Sequence, residues 1–179
     1  MTLLNIICYP GSGTHLLIDV FSVLEIKHLP LGHLIYKLMI SDKTGNIDKT
    51  QINDIKTFDR VKNEILKYNF EKDHDKISKI ISDIYLDKIE NKNYFLIQPN
   101  PQYEFFDKTW GKNDILIYNK ILKGTVREKG WDYNELFYVR NPHHIYQSRA
   151  KRKNWASQKS EIHEINSFFS LNREKILRK

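Results

Sequence analysis

Near its start the chain reads Ile6-Ile7-Cys8-Tyr9-Pro10-Gly11-Ser12-Gly13-Thr14-His15-Leu16-Leu17, a short apolar strand, a small-residue turn and an apolar run with helical spacing. Such a turn leaves backbone N–H groups at the start of a helix, where the helix dipole favours a bound phosphate or sulfate. The glycines let the backbone curl around an anion, and the hydroxyls of Ser12 and Thr14 can donate as well. The segment therefore predicts an anion site, although an ordinary strand-to-helix turn has the same composition.

This turn lacks the cation of a Walker A loop, which requires the pattern G-x-x-x-x-G-K-[ST]. Leu16 stands five residues after Gly11, and there is no lysine between Gly11 and Thr14. A small P-loop kinase or another phosphotransferase is therefore an alternative that the motif disfavours.

The composition favours one folded domain, residues 1–179, with anionic partners. Hydrophobic residues make up 40% of the chain and aromatic residues 12%, which is typical of a protein with a core. The formal charge is +7, which favours nucleotides, sulfated or phosphorylated sugars, or nucleic acid, although scattered lysines also make an ordinary solvated surface.

The single cysteine, Cys8, excludes an internal disulfide and is consistent with a reducing compartment. We find no signal peptide, and no apolar run approaches the ~18 residues of a membrane-spanning helix. The sequence therefore predicts a cytoplasmic protein that does not enter a membrane. It is compatible with a homo-oligomer.

The apolar patterns predict strands that alternate with helices. The strands are predicted at residues 3–8, 94–97 and 135–139. The helices are predicted at residues 14–26, 58–68, 77–85, 114–127 and 160–177, and a loop at 41–49. This order predicts an α/β domain with a short central parallel sheet flanked by helices, whose ligands bind at the carboxyl ends of the strands.

A second segment, Tyr138-Val139-Arg140-Asn141-Pro142 with Ser148, points to the same edge of that sheet. Arg140 follows the last predicted strand, and Asn141 and Pro142 suit the cap and first position of a helix. A guanidinium can bind two phosphate oxygens at once, and Ser148 lies two helical turns after Asn141. These residues predict a second phosphate site, unless the arginine only caps the strand and the serine is on an exposed helix face.

Together the two segments resemble the sulfotransferase family. Residues 9–14 are similar to its Y-P-K-S-G-T loop, which holds the phosphosulfate of 3′-phosphoadenosine 5′-phosphosulfate, and residues 138–142 with Ser148 are similar to its R-[ND]-P-x5-S element, which holds the 3′-phosphate. The resemblance implies a P-loop-type three-layer α/β fold and transfer of a sulfo group to a hydroxyl or amine of a carbohydrate or small molecule, without a metal. It assigns the phosphosulfate to Gly11, Ser12, Gly13, Thr14 and His15.

The chain departs from the family in two ways. Gly11 stands where the family has lysine or arginine, a cation that stabilises the departing oxygen. The chain also appears short at its C-terminus, with no third basic nucleotide-binding segment after Ser148. These departures leave open a weak enzyme, a replacement cation such as Lys27, or a non-catalytic nucleotide- or anion-binding protein on the same fold.

A general base is predicted at His28. Lys27-His28-Leu29-Pro30 is similar to the family's K-T-H-L-P segment without its threonine, which makes His28 the base and Lys27 its electrostatic companion. His28 follows the loop sooner than the histidine of the family does.

Two other polar clusters lead to weaker interpretations. Asp73-His74-Asp75 invites a metal site, but three consecutive residues converge poorly on one ion, so a helix start is favoured. The basic run at 149–153 can extend the phosphate site, attract a glycan or cap a helix, and nucleic acid is a distant alternative.

Overall fold

The computed structural model describes residues 1–8, 14–45, 54–90, 92–97, 112–138, 141 and 143–144. The elements in chain order are β1 (Thr2–Cys8), α1 (Thr14–Val23), β2 (Lys27–His28), α2 (Leu31–Thr44), α3 (Ile55–Ile65), α4 (His74–Ile84), a short 3-10 helix (Leu86–Lys88), β3 (Tyr94–Ile97), α5 (Lys112–Glu128) and β4 (Asp132–Tyr138). The predicted helix at 160–177 lies outside the described residues.

The sheet has four strands in the order β2-β3-β1-β4, and every pair is parallel. This confirms the prediction of an α/β class with a parallel sheet. The chain moves from β1 past β3 to β2, and then returns to β3 and past β1 to β4. Because such crossovers are right-handed, opposite directions of travel place α1 on one face and the later helices on the other.

The larger core lies between the sheet and helices α2–α5. On this face Leu3, Tyr94 and Leu96 of the sheet are buried with apolar residues from all four helices, including Ile35, Phe58, Ile81 and Leu122. Helix α3 begins after Asp54, whose side chain accepts a hydrogen bond from the Thr57 N–H at 3.0 Å, as an N-cap residue does.

The smaller core lies on the opposite face, beneath α1. It contains Ile6, Cys8 and Phe95 of the sheet, with partly buried residues of α1 packed against them. The rings of Phe21 and Phe95 are 4.8 Å apart. The described residues therefore form three layers, with one helix on this face and four on the other.

The structure differs from the sequence prediction in several places, among them the start of β4 at Asp132 rather than at residue 135. Helix α2 continues through Thr44 where a loop was predicted from residue 41, and it ends at Gly45, whose φ of 70° is left-handed and suits a glycine cap. Helix α1 ends at Val23 rather than at residue 26. Strand β2 was not predicted, because its two residues make no apolar run.

None of the helices in the described part of the chain combines the length and apolarity that crossing a bilayer requires.

Candidate functional site

The carboxyl ends of β1 and β4 lie side by side at one edge of the sheet. In the β1–β4 register Cys8 is the partner of Tyr138, and these are the last residues of their strands. Neighbouring strands are about 4.8 Å apart. The segment after Cys8 and the segment after Tyr138 therefore leave the sheet one strand spacing apart. These segments carry the two motifs.

A network of polar side chains links β1 to β4 in the part of the two strands that precedes Cys8 and Tyr138. The Asn5 side-chain amide donates to the Tyr133 hydroxyl at 2.7 Å, and that hydroxyl lies 3.2 Å from a Glu135 oxygen. The Lys123 ammonium of α5 is 3.0 Å from the same Glu135 oxygen. Burial raises the pKa of Tyr133, which keeps the phenol neutral and able to donate to Glu135. The network ties β1 to β4 and both strands to α5.

Five residues separate the end of β1 from the start of α1, and the predicted strand and the predicted helix on either side of them are confirmed. The first residues of α1 are Thr14 and His15. The backbone N–H groups at the start of a helix have no partner within the helix, and here they directly follow the segment at residues 9–13. Gly11, Ser12 and Gly13 lie outside the described residues, as do the side chains of Thr14 and His15.

Asn141 caps a helical turn just beyond β4. Its side-chain oxygen accepts a hydrogen bond from the His143 N–H at 2.9 Å, and both His143 and His144 are helical and exposed. The predicted cap is confirmed. Arg140, between Tyr138 and this cap, and Ser148 lie outside the described residues.

Cys8, at the end of β1, has an unreactive thiol. The residue is 4% exposed and burial raises the pKa of its thiol to about 12. A thiol in this state is protonated at neutral pH and is not a nucleophile. Its role is to pack beneath α1.

The strand register keeps His28 away from the edge where β1 and β4 end. His28 is the partner of Phe95, and Phe95 is the partner of Leu4, four residues before Cys8. At about 3.3 Å per residue along a strand and about 4.8 Å between strands, the backbones of His28 and Cys8 are roughly 16 Å apart. The structure therefore does not bring His28 beside the two motif segments.

The ring of His28 is exposed on one side and packs against Phe95 on the other, with centroids 5.3 Å apart. Partial burial removes water from the imidazole and lowers the pKa of His28 below its ordinary 6.5, and the positive charge of His33 lowers it further. The imidazole is therefore neutral near pH 7, as a general base must be, although its position is remote from the edge.

Lys27 and His28 instead line a solvent-open pocket of about 480 Å³ between α1, β2 and β3. Its other lining residues are Ile18, Ser22, Glu25, Ile26, Lys92 and Phe95. Sequence reasoning missed Ser22, which the turn between α1 and β2 places beside the pocket, and Lys92, which only the pairing of β2 with β3 brings beside Lys27. The Lys92 ammonium is 2.7 Å from a Glu90 oxygen.

The Asp73-His74-Asp75 cluster is a helix start, as predicted. Asp73 precedes α4, accepts a hydrogen bond from the Asn69 N–H at 3.2 Å and pairs with Lys76 at 3.2 Å. The Asn69 N–H is the main cause of the lowered pKa of Asp73. Within the described ranges, no group of three His, Cys, Asp or Glu residues is arranged to hold a metal ion.

No model of a known protein family matches the chain, and no curated protein is significantly similar to it. The resemblance to sulfotransferases therefore stays a prediction from the two motif segments of the sequence.

Proposed function

We propose that the chain binds 3′-phosphoadenosine 5′-phosphosulfate at the carboxyl edge of its sheet and transfers the sulfo group to a hydroxyl or amine of a carbohydrate or small molecule. The observation that carries this proposal is the pairing of Cys8 with Tyr138. It supports a single site to which both motif segments contribute, because the chain enters both from adjacent strand ends. Strand ends at opposite edges of the sheet would have contradicted a single binding site for both segments.

Each segment has a distinct task in this site. The turn at residues 11–13 and the first turn of α1, with Thr14 and His15, hold the phosphosulfate through backbone N–H groups and hydroxyls. The guanidinium of Arg140 binds two oxygens of the 3′-phosphate, and the Ser148 hydroxyl binds a third. The two phosphates of one nucleoside thereby fix its orientation.

The transfer itself is an in-line displacement. The acceptor oxygen or nitrogen forms a bond to sulfur while the bond from sulfur to the bridging phosphate oxygen breaks, and adenosine 3′,5′-bisphosphate leaves. The acceptor loses one proton to a base. Gly11 supplies no cation to the departing oxygen, and the N–H groups at the start of α1 supply positive potential at the turn instead.

His28 is the base that the sequence suggests, with Lys27 as its companion, and the strand register weighs against both roles. The nucleotide site is therefore tested first and the base separately.

Calorimetric titration with adenosine 3′,5′-bisphosphate tests the site. Arg140→Ala should weaken binding roughly 10- to 100-fold, since a charge-assisted pair contributes about 1.5–3 kcal/mol. Arg127→Ala is the matched control, because Arg127 is an exposed arginine in the last turn of α5, and its affinity should equal that of the unmodified chain.

Adenosine 5′-monophosphate, which lacks the 3′-phosphate, should bind the Arg140→Ala variant and the unmodified chain equally well. Equal affinity of both proteins for the bisphosphate would reject the second phosphate site.

A non-catalytic nucleotide-binding protein on the same fold is the second candidate. The distance of His28 from the edge favours it, as does Gly11. Transfer of radiolabelled sulfo groups to a panel of sugars and phenols separates the two. Turnover that His28→Ala abolishes supports the enzyme with His28 as base, whereas intact bisphosphate binding without turnover supports the binding protein.

A further inference from the structure

Helix α1 is apolar on two faces, and the sheet covers one of them. Leu17, Ile18 and Phe21 pack against the smaller core. The second apolar face is 45–83% exposed and consists of Leu16, Val20, Val23 and Leu24. A helix that is apolar around most of its circumference is normally buried, so we expect another segment to pack on the second face.

The second face of α1 points towards β4. Ile18 and Ser22 line the pocket beside β2, which places that flank of the helix over the β2 side of the sheet. At 100° per residue, Val20 and Leu24 project from the opposite flank. Strand β4 is the edge strand on that side.

The neighbouring face of β4 is also open. Tyr138 packs on the smaller core, and side chains alternate along a strand, so Leu136 is on the same face of the sheet as α1. Leu136 is 38% exposed, whereas its register partner Ile6 is fully buried. We call the combined area the α1/β4 surface, made of Leu16, Val20, Val23, Leu24 and Leu136.

We propose that residues 160–177 of the same chain cover the α1/β4 surface as an amphipathic helix. Their apolar residues recur with helical spacing at Ile162, Ile165, Phe169 and Ile176. The chain leaves β4 at the edge of the sheet beside this surface, and the cap at Asn141 starts a new helical turn there. Helices α2–α5 already cover the other face, so this is the face that remains for a helix after β4.

A layer argument favours this segment over a second molecule. Parallel sheets are buried on both faces by the helices of their own chain, and here one face has four helices and the other has α1 within the described ranges. A second copy of the chain seated on the same surface is the competing outcome of the experiment.

Photo-crosslinking of the full chain tests the contact. A benzophenone amino acid at position 20 should crosslink within the monomer to peptides from residues 160–177, which mass spectrometry identifies. The same group in place of Ser22, an exposed residue on the β2 flank of α1 and about 160° around the helix from Val20, is the matched control and should not give those peptides. Crosslinks from position 20 to a second molecule, or to no peptide of that segment, would overturn the proposal.

A double-mutant cycle is the second measurement. Val20→Asp and Phe169→Asp should each lower the midpoint of thermal unfolding, and the double variant should lose less than the sum, because both remove the same contact. Leu66→Asp, a leucine 71% exposed after α3, should lower it by less than about 2 °C and add independently to Phe169→Asp. Additive losses for Val20 and Phe169 would contradict the contact.

Discussion

At the scale of single residues, the rate at which a thiol reagent labels the buried Cys8 reports whether the smaller core is covered. A pKa near 12 leaves about one thiolate in 10⁴ at pH 8, against about a quarter for an ordinary cysteine. We therefore expect a thiol reagent to label native Cys8 at least about 1,000-fold more slowly than a free cysteine, and to label it rapidly in denaturant. A Cys8→Ala, Leu66→Cys variant should react rapidly when folded, because position 66 is exposed. Rapid labelling of native Cys8 would mean that α1 does not cover it.

His28 makes the stability of the fold depend on pH. Its pKa is lower in the folded protein than its ordinary 6.5, so the unfolded chain binds more protons as the pH falls through that range. The free energy of unfolding should therefore fall as the pH is lowered below about 6.5 towards the folded pKa, and the loss should stop below both values.

The measurement is urea unfolding at several pH values. His28→Gln should remove this part of the pH dependence, and a slope unchanged by the substitution would assign it to other groups. His28→Phe, which keeps a ring beside Phe95, distinguishes loss of the proton from loss of the packing.

At the scale of the elements, α4 and α5 approach closely at Gly124. A Cβ added there would lie 2.5 Å from the Ser78 hydroxyl oxygen and 2.9 Å from its Cβ. The Ser78 hydroxyl is shared between the carbonyl oxygens of His74 at 2.7 Å and Ile121 at 3.1 Å, so it has little room to move. The glycine therefore sets the distance between the two helices.

Gly124→Ala should destabilise the protein by about 1–2 kcal/mol. Overpacking typically costs about 1–3 kcal/mol, and the better helix propensity of alanine recovers up to about 1 kcal/mol. Chemical unfolding measures the change, with Lys120→Ala, an exposed position on α5, as the control. Ser78→Gly should lessen the cost of Gly124→Ala by removing the atoms in the way. A stabilised Gly124→Ala variant would show that the helices separate at little cost.

The elements also show how far the sequence alone could lead. Long amphipathic patterns placed α3, α4 and α5, and apolar runs placed β1, β3 and β4, because burial itself produces those patterns. Strand β2 has two exposed residues, and pairing with β3 rather than local sequence makes it a strand. Its position moves His28 away from the predicted edge. The meeting of the Cys8 and Tyr138 ends, by contrast, could be expected, since parallel strands end at a common edge.

At the scale of the whole molecule, the two faces of the sheet differ in how much they bury. Among the residues that the structure describes, the face under α2–α5 contains most of the buried apolar side chains, whereas the face under α1 contains Ile6, Cys8 and Phe95 with partly exposed neighbours. Local opening costs least where few apolar contacts are lost. The α1 layer should therefore open in smaller fluctuations than those that unfold α4 and α5.

Native-state hydrogen exchange at increasing denaturant measures this difference. Amides of α4 and α5 should exchange only through global unfolding, and amides of α1 and β2 at a lower free energy with a smaller denaturant dependence. If residues 160–177 cover α1, Phe169→Asp should accelerate exchange in α1 by a larger factor than it accelerates exchange in α5. Equal free energies of exchange in α1 and α5 would contradict this prediction. They would show that α1 does not open without the core on the other face, so that the sheet and both of its helical layers unfold as one cooperative unit.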